Sequence, residues 1–327
     1  MAKKILVTGG SGFIGGHIIT ELLANGYKVM VFDHSLPGQV MDPLGPRAVE
    51  YFHGDIRDAT AVTEAAAHVD GIIHLAAVLG TQETITNPRP AAETNIIGGL
   101  NVFEAATQYK IPVVYAGVGN HWMRTEGGGT YTITKTAVED FAKMYIKNRG
   151  AKINVVRPVN AYGPGQSVAY PFGSSKVRKI MPSFVMRAIT GMDIEVYGGG
   201  TQISDCVHVR DVAKVFVAAL KYTEDHGALW NPRDPSYQSD SFEVGPPRDK
   251  YTVKDIAELV VKVAESESKI VDLKMRPGEV EGAIVKANLI TLRHLKEYGI
   301  DPDEFIKLED GIRETVEYYR EWDRLQS

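Results

Sequence analysis

Tyr131 and Lys135 stand four residues apart, a spacing that on a helix places both side chains on one face. A free phenol ionises near pH ~10 and is a poor base at neutral pH, but a neighbouring ammonium stabilises the phenolate and lowers that value. The pair is thus suited to taking a proton from a hydroxyl and returning it. The same spacing occurs on ordinary surface helices, so the elements that carry it decide whether it acts.

Those elements begin with a glycine-rich turn, Thr8 to Gly15, between the apolar run Ile5-Leu6-Val7 and a helix-like stretch from His17 to Ala24. Gly9, Gly12 and Gly15 give a GxxGxxG spacing, in which missing side chains permit a tight turn, close backbone approach to phosphates and tight helix–strand packing. Unpaired amides at the helix start face the anion. Asp33 ends a second apolar run, Lys28 to Phe32, eighteen residues beyond Gly15. An acid there accepts hydrogen bonds from ribose hydroxyls and repels a 2′-phosphate, which favours NAD over NADP. The turn residues Gly9, Gly12, Phe13, Ile14 and Gly15, with Asp33 and its neighbour His34, are the cofactor candidates.

Short β-branched runs alternate with helix-period stretches through the first half. Strands are predicted at Ile5–Val7, Lys28–Phe32, Val49–His53, Gly71–Leu75, Val113–Ala116 and Ile153–Arg157, and helices over 14–25, 59–67, 94–108 and 131–148. This alternation predicts an α/β, doubly wound parallel sheet with ligands beyond the carboxyl ends of its strands. After Arg157 the texture changes to a Gly/Pro-rich loop, Tyr162 to Gly173, and then to shorter mixed elements too irregular for a second parallel sheet. These suggest a smaller α/β lobe closing over the first.

A chain of 327 residues with 44% apolar and 24% charged residues can bury a full core. A net charge of −5 supplies no basic field, so nucleic acid is not an expected partner. The single cysteine, Cys206, rules out an internal disulfide framework and fits a reducing compartment. With no apolar run of bilayer length and no signal-peptide pattern, a cytoplasmic protein without membrane contact is expected. No histidine, cysteine or carboxylate cluster has metal-ligand spacing, so no metal is expected.

Taken together, the chain resembles the extended short-chain dehydrogenases/reductases, and within them the nucleotide-sugar epimerases and dehydratases. The resemblance rests on eight segments in family order: Thr8 to Gly15, Gly54 to Asp58, His74 to Ala77, Asn95 with Gly98 and Asn101, Tyr131 to Lys135, Arg157 to Pro164, Val207 to Asp211, and Arg276 to Glu279. It implies a Rossmann-type NAD-binding domain over 1–165, with 207–222 returning to it, and a nucleotide-sugar-binding lobe over 166–327. It further implies that Asp55 and Ile56 hold the adenine, that Leu75, Ala76 and Ala77 line the cofactor, and that Asn95 and Pro158 lie near it. Tyr131 becomes the acid/base toward a sugar hydroxyl, and Lys135 its electrostatic partner and a ligand of the nicotinamide ribose.

The family also places a serine or threonine just past the fifth strand, and here that position is Val118, which donates no hydrogen bond. Something else must orient the substrate hydroxyl. Asn120, His121 and the loop Thr81-Gln82-Glu83 are the nearest polar candidates, and an uninvolved loop histidine is as good a reading of His121. Family dehydratases follow the hydroxyl residue with an acid pair, and decarboxylases keep a glutamate there; Gly119 and Asn120 supply neither. On the substrate side the resemblance assigns Asn160 and Arg276 to the diphosphate, whereas Ser204 stands where many relatives carry a phosphate-binding arginine. Lys176, Arg178 and Lys179 could replace it, although a solvated basic run reads equally well.

Family members commonly dimerise through two helices, here with Val138, Phe141, Ala142 and Tyr145 on one and Leu100, Phe103 and Ala106 on the other, positions that could equally be core. The reading is a homodimeric NAD-dependent nucleotide-sugar epimerase acting at C4 of a UDP-sugar. The alternatives are a nucleotide-sugar oxidoreductase or dehydratase, and a catalytically silent NAD-binding sensor or scaffold.

Overall fold

The computed structural model describes residues 2–35, 49–80, 82–119, 129–230, 241–247, 250–276, 279, 282–287, 295–296 and 298–326. Strands and helices alternate as β1 (Lys4–Thr8), α1 (Phe13–Ala24), β2 (Lys28–Asp33), β3 (Glu50–His53), α2 (Ala59–Ala66) and β4 (Gly71–His74). A helical run follows, made of α3 (Arg89–Ala91), a π-helical segment (Ala92–Ile97) and α4 (Gly98–Tyr109), and then β5 (Val113–Ala116), α5 (Thr130–Arg149) and β6 (Ile153–Pro158). Beyond lie β7 (Asn160–Tyr162), α6 (Ile180–Ile189), β8 (Ile194–Tyr197), β9 (Ile203–Ser204), β10 (Cys206–His208), α7 (Val209–His226) and β11 (Phe242–Val244). The last elements are α8 (Val253–Val263), β12 (Ile270–Leu273), β13 (Ile284–Val285) and α9 (Leu308–Gln326).

The central sheet has seven strands in the order β11-β6-β5-β4-β1-β2-β3, and every pair is parallel. A parallel strand covered on both faces must be apolar on both, which is why Ile5, Leu6 and Val7 follow one another without alternation. Ile5 and Val7 point into one core with Ile18 and Leu22 of α1 and Phe216 and Leu220 of α7. Leu6, on the opposite face, joins Phe103, Tyr115 and Val138. The seventh strand is absent from the sequence reading, because three residues are too few to show a period; it is held by pairing with β6 and by the Val159 N–H donating to the Val244 carbonyl (2.9 Å). The order reverses between β1 and β4, which opens a crevice at their carboxyl ends.

The remaining elements build a second core, where Phe184, Val185, Ile194, Ile256, Val260, Ile312 and Tyr319 are buried together. Its strands form parallel pairs of two, β8 with β12 and β9 with β13, while β7 pairs with β10. Helix α8 starts on a capping box in which Thr252 and Asp255 satisfy each other's backbone N–H groups.

Two expectations change here. The helix predicted over 94–108 begins earlier and carries the π-helical segment around Asn95. That side chain is 2% exposed. It accepts from the Val78 N–H (2.8 Å) and donates to the Val78 carbonyl (3.1 Å) and to Thr134 Oγ1 (2.9 Å), tying the segment after β4 to α5. Of the apolar stripes, Val138, Ala142, Tyr145, Phe103 and Ala106 lie in the protomer's own core with Leu100 packed against it, whereas Phe141 is 37% exposed. Helical periodicity cannot tell a core face from an interface, and here the buried face won.

Asn95→Ala leaves two Val78 backbone groups without this partner, while the Thr134 hydroxyl keeps its bond to the Tyr131 carbonyl (3.0 Å), at a cost of about 1–3 kcal/mol for each group left buried and unpaired. The expected outcome is a urea midpoint clearly below that of the wild type; an unchanged midpoint would contradict the tether.

Candidate functional site

At the carboxyl ends of the central strands, the first domain and the second lobe line a cavity of about 840 Å³, toward the upper end of the range for ligand sites. Its floor is the glycine turn. Gly9 has φ +71°, a conformation that side chains disfavour, and a Cβ there would lie 2.8 Å from the Ala76 nitrogen; one at Gly15 would lie 2.5 Å from the Gly9 carbonyl oxygen. Backbone, not side chain, therefore fills this corner. Helix α1 starts at Gly12 with no side-chain cap and no acid in its first turn, so its amides are left for an anion. Ser11 Oγ is buried there without a hydrogen-bond partner among the described residues.

Phe13, Ile14, Gly12 and Gly15 line the cavity, as do Asp33, His34, Asp55, Ile56, Leu75, Ala76, Ala77 and Pro158. Asp33 accepts from the Ser11 N–H (3.1 Å) with one oxygen and from the Ser35 N–H (3.0 Å) with the other, which fixes the carboxylate while leaving lone pairs for ribose hydroxyls. His34 Nδ1 lies 3.2 Å from Asp33. Asp55 is engaged by Arg57 (Nη2 to Oδ2, 2.5 Å), and that guanidinium holds its carboxyl below the usual carboxylate range against the opposing effect of burial. These residues fit a dinucleotide. Asn95 does not join them among the cavity-lining residues, because all its polar atoms are spent on Val78 and Thr134; it acts on the cofactor wall from behind.

Tyr131 and Lys135, on the first two turns of α5, both line the cavity. The electrostatics differ from the simple expectation. Burial, with a smaller push from Glu139, raises the Tyr131 phenol to about 12, so the ammonium does not lower it in this state. Lys135 itself is 2% exposed, with Nζ 4.2 Å from the centre of the Tyr115 ring. Burial brings it down to about 7 while Glu139 pulls the other way. Desolvation outweighs the pairwise attraction on which the sequence argument rested. Beside them His74 is pushed down to about 3, by burial first and then by Lys135, and its Nδ1 lies 2.7 Å from Thr8 Oγ1.

Val118 lines the same wall, 8% exposed. Asn120, His121 and Thr81 lie outside the described residues. Gln82 and Glu83 line the cavity, and Gln82 Nε2 is buried without a hydrogen-bond partner among the described residues.

The second lobe contributes Asn160, Arg178, Lys179 and Arg276 to the lining. Asn160 donates to Ser204 Oγ (2.8 Å), so the serine that stands in the arginine position serves as its anchor. Arg178 is spent within its lobe, on Ser183 (3.1 Å), Tyr197 (2.9 Å) and Glu195 (2.7 Å). Lys176 is exposed and absent from the lining, whereas Arg178 borders the cleft with its guanidinium engaged inside the lobe. Lys179 lines it as well, its ammonium disfavoured by burial and supported by Glu83. Arg276 stacks on Tyr197 with its guanidinium carbon 4.9 Å from the ring centre and is ion-paired with Glu279. Loop direction, which periodicity does not encode, separates these neighbouring cations. Burial also pushes the Cys206 thiol up to about 12, which disfavours its thiolate.

A glycine turn at the switch point, an acid at the end of the second strand and a Tyr/Lys pair on the facing helix fit a dinucleotide-dependent enzyme. The pattern of the NAD dependent epimerase/dehydratase family matches residues 5–231, and the chain belongs to that family. It is an enzyme of the nucleotide-sugar epimerase/dehydratase type, and its cofactor is NAD. A putative UDP-glucose 4-epimerase of Methanocaldococcus jannaschii is 30% identical over 68% of this chain and 74% of its own length. A UDP-N-acetyl-alpha-D-glucosaminuronate decarboxylase of Bacillus cytotoxicus is 26% identical over 98% and 99%. The crystal structure of UDP-glucose 4-epimerase with UDP-glucose from Thermotoga maritima superposes with a TM-score of 0.79 at 26% identity, covering 98% of this chain and 99% of that one. No helix among the described residues is long and apolar enough to cross a membrane.

A lysine brought from 10.5 to about 7 on folding binds fewer protons folded than unfolded between those values, so it makes stability rise with pH across that interval. Lys135→Met removes this contribution. Urea midpoints taken without added cofactor at about pH 7 and about pH 10 should rise more in the wild type than in the variant; parallel behaviour would contradict the buried ammonium.

Proposed function

We propose that the enzyme is a nucleotide-sugar 4-epimerase, most simply of a UDP-sugar, working by transient oxidation at one carbon. The observation that carries this reading is the make-up of the cavity wall. Tyr131 and Lys135 line it, while Gly117, Val118 and Gly119 bring no acid to the place where dehydration or decarboxylation would need a second proton donor.

Bound NAD supplies reversible hydride acceptance, so that the sugar can be oxidised and re-reduced without net redox change. Gly9, Gly12 and Gly15 with the start of α1 would hold its pyrophosphate, Asp33 the adenosine ribose and Lys135 the nicotinamide ribose. Tyr131 takes the proton of the C4 hydroxyl as the carbonyl forms, and returns it after the keto sugar has presented its other face. A phenol raised to about 12 by burial is a weak acid and needs the adjacent ammonium to share charge in the transition state. Lys179 and Arg276 in the second lobe supply positive charge for the diphosphate, and Asn160 a hydrogen-bonding amide.

The homodimer we infer uses the surface that α5 leaves open. Ile133, Phe141 and Met144, at helical spacing, are 48%, 37% and 39% exposed, with Ile97 at the end of the π-helical segment 48% exposed as well.

Incubation with a panel of UDP- and dTDP-sugars, followed by NMR, should show an equilibrium mixture of C4 epimers without accumulation of NADH. Release of carbon dioxide, or a stable 4-keto product, would replace epimerisation by decarboxylation or dehydration. Tyr131→Phe should lose about two to four orders of magnitude in turnover while binding NAD as the wild type does; full activity in that variant would remove the acid/base assignment. Val118→Ser, which places a hydroxyl donor on the wall, should leave turnover equal or raise it, and a collapse would show that the apolar side chain has its own role.

A further inference from the structure

Beneath this site lies a carboxylate that the reaction scheme leaves unused. Glu139 sits one turn beyond Lys135 on α5 and is 3% exposed. Arg157 of β6, 6% exposed, grips it through Nε (3.0 Å) and Nη2 (2.5 Å), and both bonds go to the same oxygen, Oε2. Arg157 Nη1 donates to Ser241 Oγ (2.8 Å) instead. A carboxylate kept only for Arg157 would offer both oxygens to the guanidinium fork, the stronger bidentate geometry. Here Oε1 remains buried without a hydrogen-bond partner among the described residues. It occupies the space where a Cβ of Gly117 would stand.

The neighbours of Lys135 explain what that oxygen is for. From β4 comes His74, kept neutral at physiological pH with a value near 3. From β5 comes the Tyr115 ring, which offers only its face to the ammonium. On α5 itself Tyr131 is a phenol held protonated, and on β6 Arg157 is a cation. Among the described residues, Glu139 is the group whose negative charge acts on Lys135. An ammonium buried with no counter-charge is strongly disfavoured and sheds its proton instead.

We propose that Glu139 is a positioning residue for the reaction: Arg157 fastens one carboxylate oxygen, and the other is the counter-charge that keeps Lys135 an ammonium beside Tyr131. This rests on the reading of Tyr131 and Lys135 as the acid/base pair. The role passes through Lys135 and does not require Glu139 to touch the substrate.

The test is the titration of Lys135 in the protein without added nucleotide, followed by NMR of [ε-13C]lysine-labelled protein with the signal assigned by its loss in Lys135→Met. In Glu139→Gln, which keeps a hydrogen-bond acceptor for Arg157, the Lys135 midpoint should fall by about one pH unit or more. A protein in which Glu139 only props up the fold would show a lower urea midpoint and no such displacement. If the single variant does not fold, Glu139→Gln/Arg157→Gln is compared with Arg157→Gln, so that the Arg157 cation is absent from both, and the Lys135 midpoint must be lower in the double variant. An unmoved midpoint in either folded variant overturns the proposal. Turnover is judged separately: a fully active Tyr131→Phe protein would remove the acid/base reading, while the NMR titration would still decide whether Glu139 holds Lys135.

Discussion

The structure depends on one close approach. Where β1 leaves the sheet, the backbone of Gly9 passes so near that of Leu75 and Ala76 that a Cβ cannot stand between them, and Gly15 comes equally near the Gly9 carbonyl. That contact seats α1 on the sheet and aims its uncapped amides at the crevice where strand order reverses. It also leaves the crevice floor as bare backbone, which an anion can approach. Any side chain at these glycines would push α1 away and take the phosphate site with it.

Polar groups then fix the walls. Asp33 is held by the turn it faces, through the Ser11 N–H, so that turn and acid move as one unit. Asn95 fastens the segment after β4 to α5, which carries Tyr131 and Lys135. Two parts of the cavity wall are thereby locked in register by a residue outside the lining. Burial has a cost: a lysine and a tyrosine enclosed this deeply both drift toward their neutral forms. The counter-charge lies one layer further down, where Arg157 and Glu139 are buried together.

Much of this was legible in the chain. The alternation of apolar runs and helix-period stretches marks six of the seven sheet strands, because parallel strands covered on both faces must be continuously apolar. The glycine spacing and Asp33 point to the cofactor, since both act through backbone geometry close to their own sequence positions. Less visible were β11, too short to show a period, and the π-helical segment, in which Asn95 bonds to Val78 from a distant stretch of chain. The cations Lys176, Arg178 and Lys179 are adjacent in sequence and chemically alike. Their fates diverge, one exposed, one ion-paired within the lobe and one facing the cleft.

The sequence by itself determined the class of fold, the dinucleotide turn and the Tyr/Lys pair, because each is set by local spacing and by the period of burial. Only the tertiary structure decided which charges meet and at what dielectric. The lowering of Tyr131 by Lys135, sound for two groups in water, gives way to desolvation once both are enclosed. Glu139, one turn further along α5, adds a negative charge that opposes the effect of burial on Lys135. Coulomb interactions depend on burial and on partners from distant strands, and neither is written in the spacing of residues along a chain.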